Sequence, residues 1–255
     1  MKLEGEITRG TTNPNRLRRC DRWILKNFET LFRNHENGMV VDLGYGASPI
    51  TTVEMADRLH LHYPRIEIVG LEIDPARVAN AQSAIKPGLS FQLGGFEIPT
   101  PKRPFLIRAF NVLRQYHVDE VLPAWQRLQE KIENDGIIID GTCDEIGRRS
   151  TWITLSKSAP ISLTLATRLI GLEDPKELAE RLPKILIHRN VQGERIFNFL
   201  EDLSLAWKSN SGLKIFGPRQ RWNASVAAVR RDWPISSIGL GELTIAWDAI
   251  NPLKN

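Results

Sequence analysis

The stretch VVDLGYGASP, Val40 to Pro49, decides the fold. With Gly38 and Met39 it begins as a short run that is apolar but for one acid, Asp42, as in a strand buried on both faces of a parallel sheet. It then breaks into glycines at Gly44 and Gly46. Ser48 followed by Pro49 reads as an N-cap with proline at the first helical position, where a missing N–H does no harm. Strand, glycine turn and helix in that order open a doubly wound α/β fold.

The same alternation continues outward. RIEIVGLEI, 65 to 73, predicts a second strand, and DPARVANAQSAI, from 74, a helix capped by Asp74 with Pro75 behind it. LSFQLGG (89–95), PFLIRAFNVL (104–113) and IIID (137–140) predict three more strands. HVDEVLPAWQRLQEKIENDG predicts a long helix that stops at Gly136. Upstream, RLRRCDRWILKNFETLF (16–32) spaces Leu17, Trp23, Ile24, Phe28, Leu31 and Phe32 as an amphipathic leading helix.

After residue 145 the pattern changes. STWITLSKS and PISLTLATRL, split by SAP, predict an antiparallel hairpin, and GELTIAW a further strand. DPKELAERL, GERIFNFLEDLSLAW and PRQRWNASVAAVRR read as helices. The expected fold is therefore a doubly wound, mostly parallel sheet with antiparallel strands and appended helices in the second half. The expected organisation is an arm and leading helix over 1–37, a core over 38–145, and a completing, helical substrate-side region over 146–255 packed on it.

Composition restricts the function classes. With 42% hydrophobic and 25% charged residues, the 255-residue chain has the make-up of a globular protein and not of a disordered one. Its longest apolar run, near GIIID, is far short of the ~20 residues a membrane span needs. MKLEGEITRG lacks the apolar centre of a signal peptide, so the chain reads as cytoplasmic, with no membrane partner. Cys20 and Cys143 stand far apart, and His35, His60, His62, His117 and His188 show no ligand spacing, so no metal is expected. The charge of +4 is uneven: residues 205–235 carry six basic residues against Asp232 alone. Arg219, Arg221, Arg230 and Arg231, beside Trp207, Trp222, Trp233 and Trp247, are either a nucleic-acid patch or a solvated helix face over core tryptophans.

The glycine turn lies where such sheets bind ligands, and its composition selects among them. A pyrophosphate suits neither Asp42 nor Pro49, which replaces the third glycine of a dinucleotide fingerprint; this counts against a nicotinamide dehydrogenase. A ligand with a positive end suits both. VVDLGYG resembles motif I of class I S-adenosylmethionine (SAM)-dependent methyltransferases, and Glu72 in VGLEIDPARVANA matches that family's ribose-binding acid. LSFQLGGFEIP resembles its third motif and FNVLRQY its fourth, with Asn111 at the polar position. The flavour of the sequence is similar to actinobacterial members.

This resemblance, over residues 38–145, implies a Rossmann-like methyltransferase fold that binds SAM through Asp42, Gly44, Tyr45, Gly46, Glu72, Ile73, Gly94, Gly95, Phe96 and Asn111. Asp42 and Glu72 would converge on one nucleoside carrying positive sulfur. Two departures stand out. Gly95 replaces the acid that holds the adenine amino group in many members, leaving backbone groups and stacking on Phe96 or Ile73. The interval between IIID and STWITLS is also short for the usual helix.

Other residues keep two readings. Arg16, Arg18 and Arg19 either lie over the cofactor, one pairing with its carboxylate, or are surface arginines. Arg108 within an apolar strand points into the cleft or marks a misplaced strand boundary. Asp144 and Glu145 are candidates for a base, as is Asn111 for a catalytic role, or they are solvated loop residues. The function read from the sequence is methyl transfer from SAM to an acceptor, a small molecule or RNA. The alternative is an inactive methyltransferase-like fold that binds RNA or serves as a scaffold.

Overall fold

A computed structural model describes residues 3–253; the outermost two positions of the expected arm and of the tail lie outside the described residues. Helices α1 (Arg18–Asn27) and α2 (Glu29–Asn34) lead into β1 (Met39–Leu43), α3 (Ile50–His60), β2 (Glu67–Glu72), α4 (Pro75–Ala81), β3 (Leu89–Leu93) and β4 (Leu106–Phe110). Then come α5 (Val121–Lys131), β5 (Ile137–Cys143), β6 (Arg149–Leu155), β7 (Pro160–Thr167), α6 (Lys184–Ile187), α7 (Arg195–Ser209) and α8 (Pro218–Val229). The chain closes with β8 (Ile235–Ile238), β9 (Glu242–Ala246) and α9 (Trp247–Ile250).

One nine-stranded sheet runs in the order β3-β2-β1-β4-β5-β6-β7-β9-β8. The first five strands pair in parallel and the rest antiparallel. The order reverses between β1 and β4, so a ligand crevice opens at their carboxyl ends. The sheet is doubly wound and Rossmann-like. Strands β1, β4 and β5 are buried throughout, because helices cover both faces. Trp125, Trp207, Trp222 and Trp247 fill the core under α5 and α7 to α9, whereas Trp23, Phe32, Met55 and Trp152 fill the core under α1 to α3.

Several boundaries differ from the sequence reading. The leading helix breaks at Phe28 (φ −124°, ψ 28°) into two. Helix α3 starts one residue late: Pro49 is its N-cap, and Ser48 Oγ accepts a 3.4 Å bond from Ile50 N. Asp74 caps α4 as expected, accepting from Ala76 N. DPKELAERL forms a 3₁₀ helix over Pro175–Arg181. No helix separates β5 from β6; the connection is a hairpin turn in which the Asp144 carboxylate accepts from Arg148 N and Arg149 N. The helices α6 to α8 fall between β7 and its neighbour β9, and the edge strand β8 has no counterpart in the sequence reading.

Asp140, in the middle of β5, is buried, and among the described residues its carboxylate accepts one hydrogen bond, from Trp125 Nε1 at 3.0 Å. Burial pushes its carboxyl up to about 7, the indole bond opposing. Between about pH 4, where an unfolded aspartate titrates, and that value, the native state holds the extra proton, so stability falls as pH rises through the window. We expect Asp140→Asn to be more stable than the parent at pH 8, by on the order of a few kcal/mol, and to differ little at pH 4. Urea unfolding at the two pH values checks this, and a parent whose stability rises across the window contradicts it.

Candidate functional site

The direction of Asp42 follows from the pleat. Alternation in β1 puts Met39, Val41 and Leu43 on the α5 face, and Val40 and Asp42 on the α1 and α3 face. There Asp42 lies beside Arg108, its partner in the parallel register of β4. Arg108 Nε and Nη2 donate to the two Asp42 oxygens at 2.9 and 2.7 Å. Thr52 Oγ1 donates to the same carboxylate at 2.6 Å. Arg108 Nη1 donates to Asp21 of α1, and Nη2 also reaches the Thr51 carbonyl at 3.1 Å. Burial alone would lower the pKa of this guanidinium, but Asp42 and Asp21 hold it above its ordinary value, so it stays charged.

Asp42 therefore does meet a cation, but the cation is the protein's own. The carboxylate expected to meet a ligand is thus engaged by Arg108 and Thr52, while Asp42 also lines the large cavity beside the glycine turn. The same finding settles Arg108: the strand boundary stands, and the side chain lies beneath the helices, tying β1, β4, α1 and α3 together.

Glu72 ends β2 at the crevice. Its Oε2 accepts from Gly46 N at 2.9 Å, and Oε1 from Ile73 N at 2.9 Å and Asp74 N at 3.3 Å. The glycine turn is thereby pinned to the second strand. Gly46 has φ +88°, and a Cβ there would stand 2.5 Å from the Gly10 carbonyl, so no other residue fits. Asn111, just past β4, also has positive φ (59°). Its Oδ1 accepts from Cys143 N at 3.0 Å, which joins the ends of β4 and β5.

Two cavities flank the turn. The larger, about 510 Å³, is lined by Asp42, Gly44, Tyr45, Gly46, Asn111, Arg114 and Gln115, with Arg16 and the arm residues Thr8 to Thr12 forming the other wall. The smaller is edged by Glu72, Ile73, Gly94, Gly95, Phe96 and Tyr116, and retains only about 20 Å³, room for roughly one water. The structure thus brings Gly44, Tyr45, Gly46, Glu72, Ile73, Gly94, Gly95, Phe96 and Asn111 together around one crevice.

The remaining candidates sit elsewhere or do other work. Arg19 points away, donating to the Leu240 carbonyl at 3.3 Å, and Arg18 is exposed. Arg16 does reach the cavity wall, where it donates to the Asp144 and Thr11 carbonyls. Neither Asp144 nor Glu145 lines the large cavity: the first caps its own hairpin turn and the second is exposed. In the basic segment, Arg221 lies 3.9 Å over the Trp207 ring and donates to the Trp207 carbonyl, while Trp207, Trp222 and Trp247 are buried and unavailable for stacking on bases. Arg219, Arg230 and Arg231 are exposed.

The sequence reading passed over Glu97, Tyr116, Arg77 and the first residues of the arm, all of which edge or fill the crevice. Glu97, two residues past the paired glycines, was a visible acid in the quoted motif; its carboxylate accepts from Gly95 N and Glu4 N. Among the described residues no group of His, Cys, Asp and Glu could hold a metal ion, and no helix is long and apolar enough to cross a membrane.

No protein-family model and no curated protein matches the chain. Solved structures similar to it include the DszA carbon methyltransferase, at 13% identity and a TM-score of 0.42 over 51% of this chain and 37% of that one. Another is the magnesium protoporphyrin IX methyltransferase ChlM of Synechocystis PCC 6803, with bound S-adenosylhomocysteine (SAH), at 15% and 0.38 over 50% and 54%. A third is human N-acetylserotonin methyltransferase in complex with SAM, at 21% and 0.35 over 52% and 39%. The chain spans about half, or less, of the length of these structures.

Removing Arg108 leaves the buried Asp42 carboxylate without its cation and Asp21 with Arg58 only. Arg108→Leu should cost about 3–5 kcal/mol in a urea titration, well beyond what its lost packing explains. A loss under about 1 kcal/mol would show that the two acids do not need it.

Proposed function

We propose that the chain is a class I SAM-dependent methyltransferase acting on a small-molecule acceptor held in the 510 Å³ cavity. One observation carries this reading: at the switch point of the sheet, the Glu72 carboxylate and the Phe96 amide edge one groove, and the groove opens past the glycine turn into that cavity. A carboxylate suits a vicinal diol, a backbone N–H suits a base edge, and Ile73 and Phe96 offer apolar faces. The bound cofactor would supply a methyl group on sulfonium, so the protein's own share is alignment and exclusion of water. A cavity of this size supports a small acceptor, and Asn111, Arg114 and Gln115 of its wall do not belong to the arm. The buried tryptophans count against RNA.

The donor set fits a nucleoside. The space does not, because about 20 Å³ remains in the groove.

Calorimetry of the full chain with SAH, up to millimolar ligand, tests the reading. A saturable heat is expected, and Glu72→Ala should weaken it roughly tenfold or more, the worth of one hydrogen bond to a charged group. Affinity unaltered by Glu72→Ala would contradict the assignment.

A further inference from the structure

The nucleoside groove is filled by the chain's own N-terminal arm. Glu4 O accepts from Phe96 N at 2.8 Å, taking the backbone donor that faces the groove at the end of β3. Glu4 N donates to Glu97 Oε2 at 2.9 Å, and the other Glu97 oxygen accepts from Gly95 N at 2.9 Å, so this buried carboxylate clamps arm to strand. Gly95 is what allows it: a Cβ there would stand 2.0 Å from the Glu4 carbonyl. Gly5 then lies among Ile73, Phe96 and Tyr116, the surfaces on which a base would stack, and Glu6 N donates to Tyr116 Oη at 2.5 Å.

Further along, Arg77 Nη2 donates to the Thr8 carbonyl at 2.7 Å, and its Nη1 stands 3.5 Å from Glu72 Oε2, against the carboxylate that would hold a ribose. Arg9 N donates to Gln115 Oε1 at 2.8 Å. Gly10 O accepts from Ala47 N at 2.8 Å, the first amide past the glycine turn. Arm and nucleoside would thus compete for the same donors, the same apolar faces and the same carboxylate.

The arm also has the make-up of an occupant that leaves. Its grip is through backbone groups, and its apolar side chains Leu3 and Ile7 remain 38% and 62% exposed, so neither anchors it in the core. We infer that residues 4–10 are an intramolecular plug: docking of the arm and binding of a nucleoside in this groove are mutually exclusive, and the cofactor binds only to the fraction of molecules whose arm is out. This rests on the nucleoside reading of the site given above. Its consequence is arithmetical, since an apparent dissociation constant rises in proportion to the inverse of the competent fraction. Anything that captures the free arm would raise cofactor affinity by the same linkage.

Two substitutions within the arm loosen it and leave every residue of β1 to β4 and their turns unchanged. Gly5 and Gly10 both have positive φ, +136° and +71°. Gly5→Ile combined with Gly10→Val puts β-branched residues where the docked backbone excludes them, at no cost to an undocked arm. Calorimetry with SAH should then show affinity at least ~10-fold tighter than in the parent, with an unchanged thermal unfolding profile for the rest of the fold.

A ligand-free readout accompanies it: trypsin cleavage after Arg9, followed by mass spectrometry, should be slow in the parent, faster in the double variant, and accelerated in the parent by SAH. Equal affinities in parent and variant would overturn the plug, as would rapid cleavage of the parent that SAH does not change. If neither protein binds SAH while the cleavage rates differ, the nucleoside reading falls and the docked arm stands.

Discussion

The structure turns on one buried positive charge. Arg108 has no exposed surface, and a guanidinium in that position requires carboxylates around it. Asp42 and Asp21 provide them, and their provenance matters: one belongs to the strand that launches the glycine turn, the other to the first helix. The charge therefore fixes α1 on the sheet next to the switch point. Because residues 3–17 enter α1, this also fixes where the arm leaves the helix, and Arg16 holds its last turn against the β5 to β6 hairpin.

A second consequence concerns the two acids of the site. Asp42 and Glu72 differ in role because they differ in pleat and position. Asp42 is inside the strand on the helix-covered face, where an unpaired carboxylate is untenable. Glu72 ends its strand, where backbone amides of the glycine turn and of residues 73 and 74 surround it and leave it at the rim of the groove. Glu72 therefore edges the groove with its charge turned to backbone amides, whereas the charge of Asp42 is matched by Arg108.

Much of the parallel half was legible in the sequence, for a physical reason: buried strands, glycine turns and Asp-Pro or Ser-Pro helix starts are local patterns. The hairpin of β6 and β7 was legible from alternation and its SAP turn. The face of Asp42 could also have been counted, since it shares parity with Val40. What could not be read was the identity of its partner, because the register of β4 against β1 pairs residues 66 positions apart. The arm was illegible for a different reason. It binds through main-chain N–H and C=O groups, which every residue has, so no side-chain pattern marks it; the only traces are Gly5, Gly10 and the bare Gly95. The helix over Pro175–Arg181 was legible though not its 3₁₀ form, and β8 and the helices α6 and α9 were missed because short elements are set by tertiary packing more than by propensity.

The claim that the free protein fills its own groove is most directly tested by residue-resolved amide hydrogen exchange. Without ligand, the amides of Glu4, Glu6, Arg9, Ala47 and Phe96 should all be protected, since each donates to a partner across the arm–groove contact. Saturation with SAH should release the first three to open-chain rates while Phe96 stays protected. Arm amides that exchange at open-chain rates in the free protein would contradict the account.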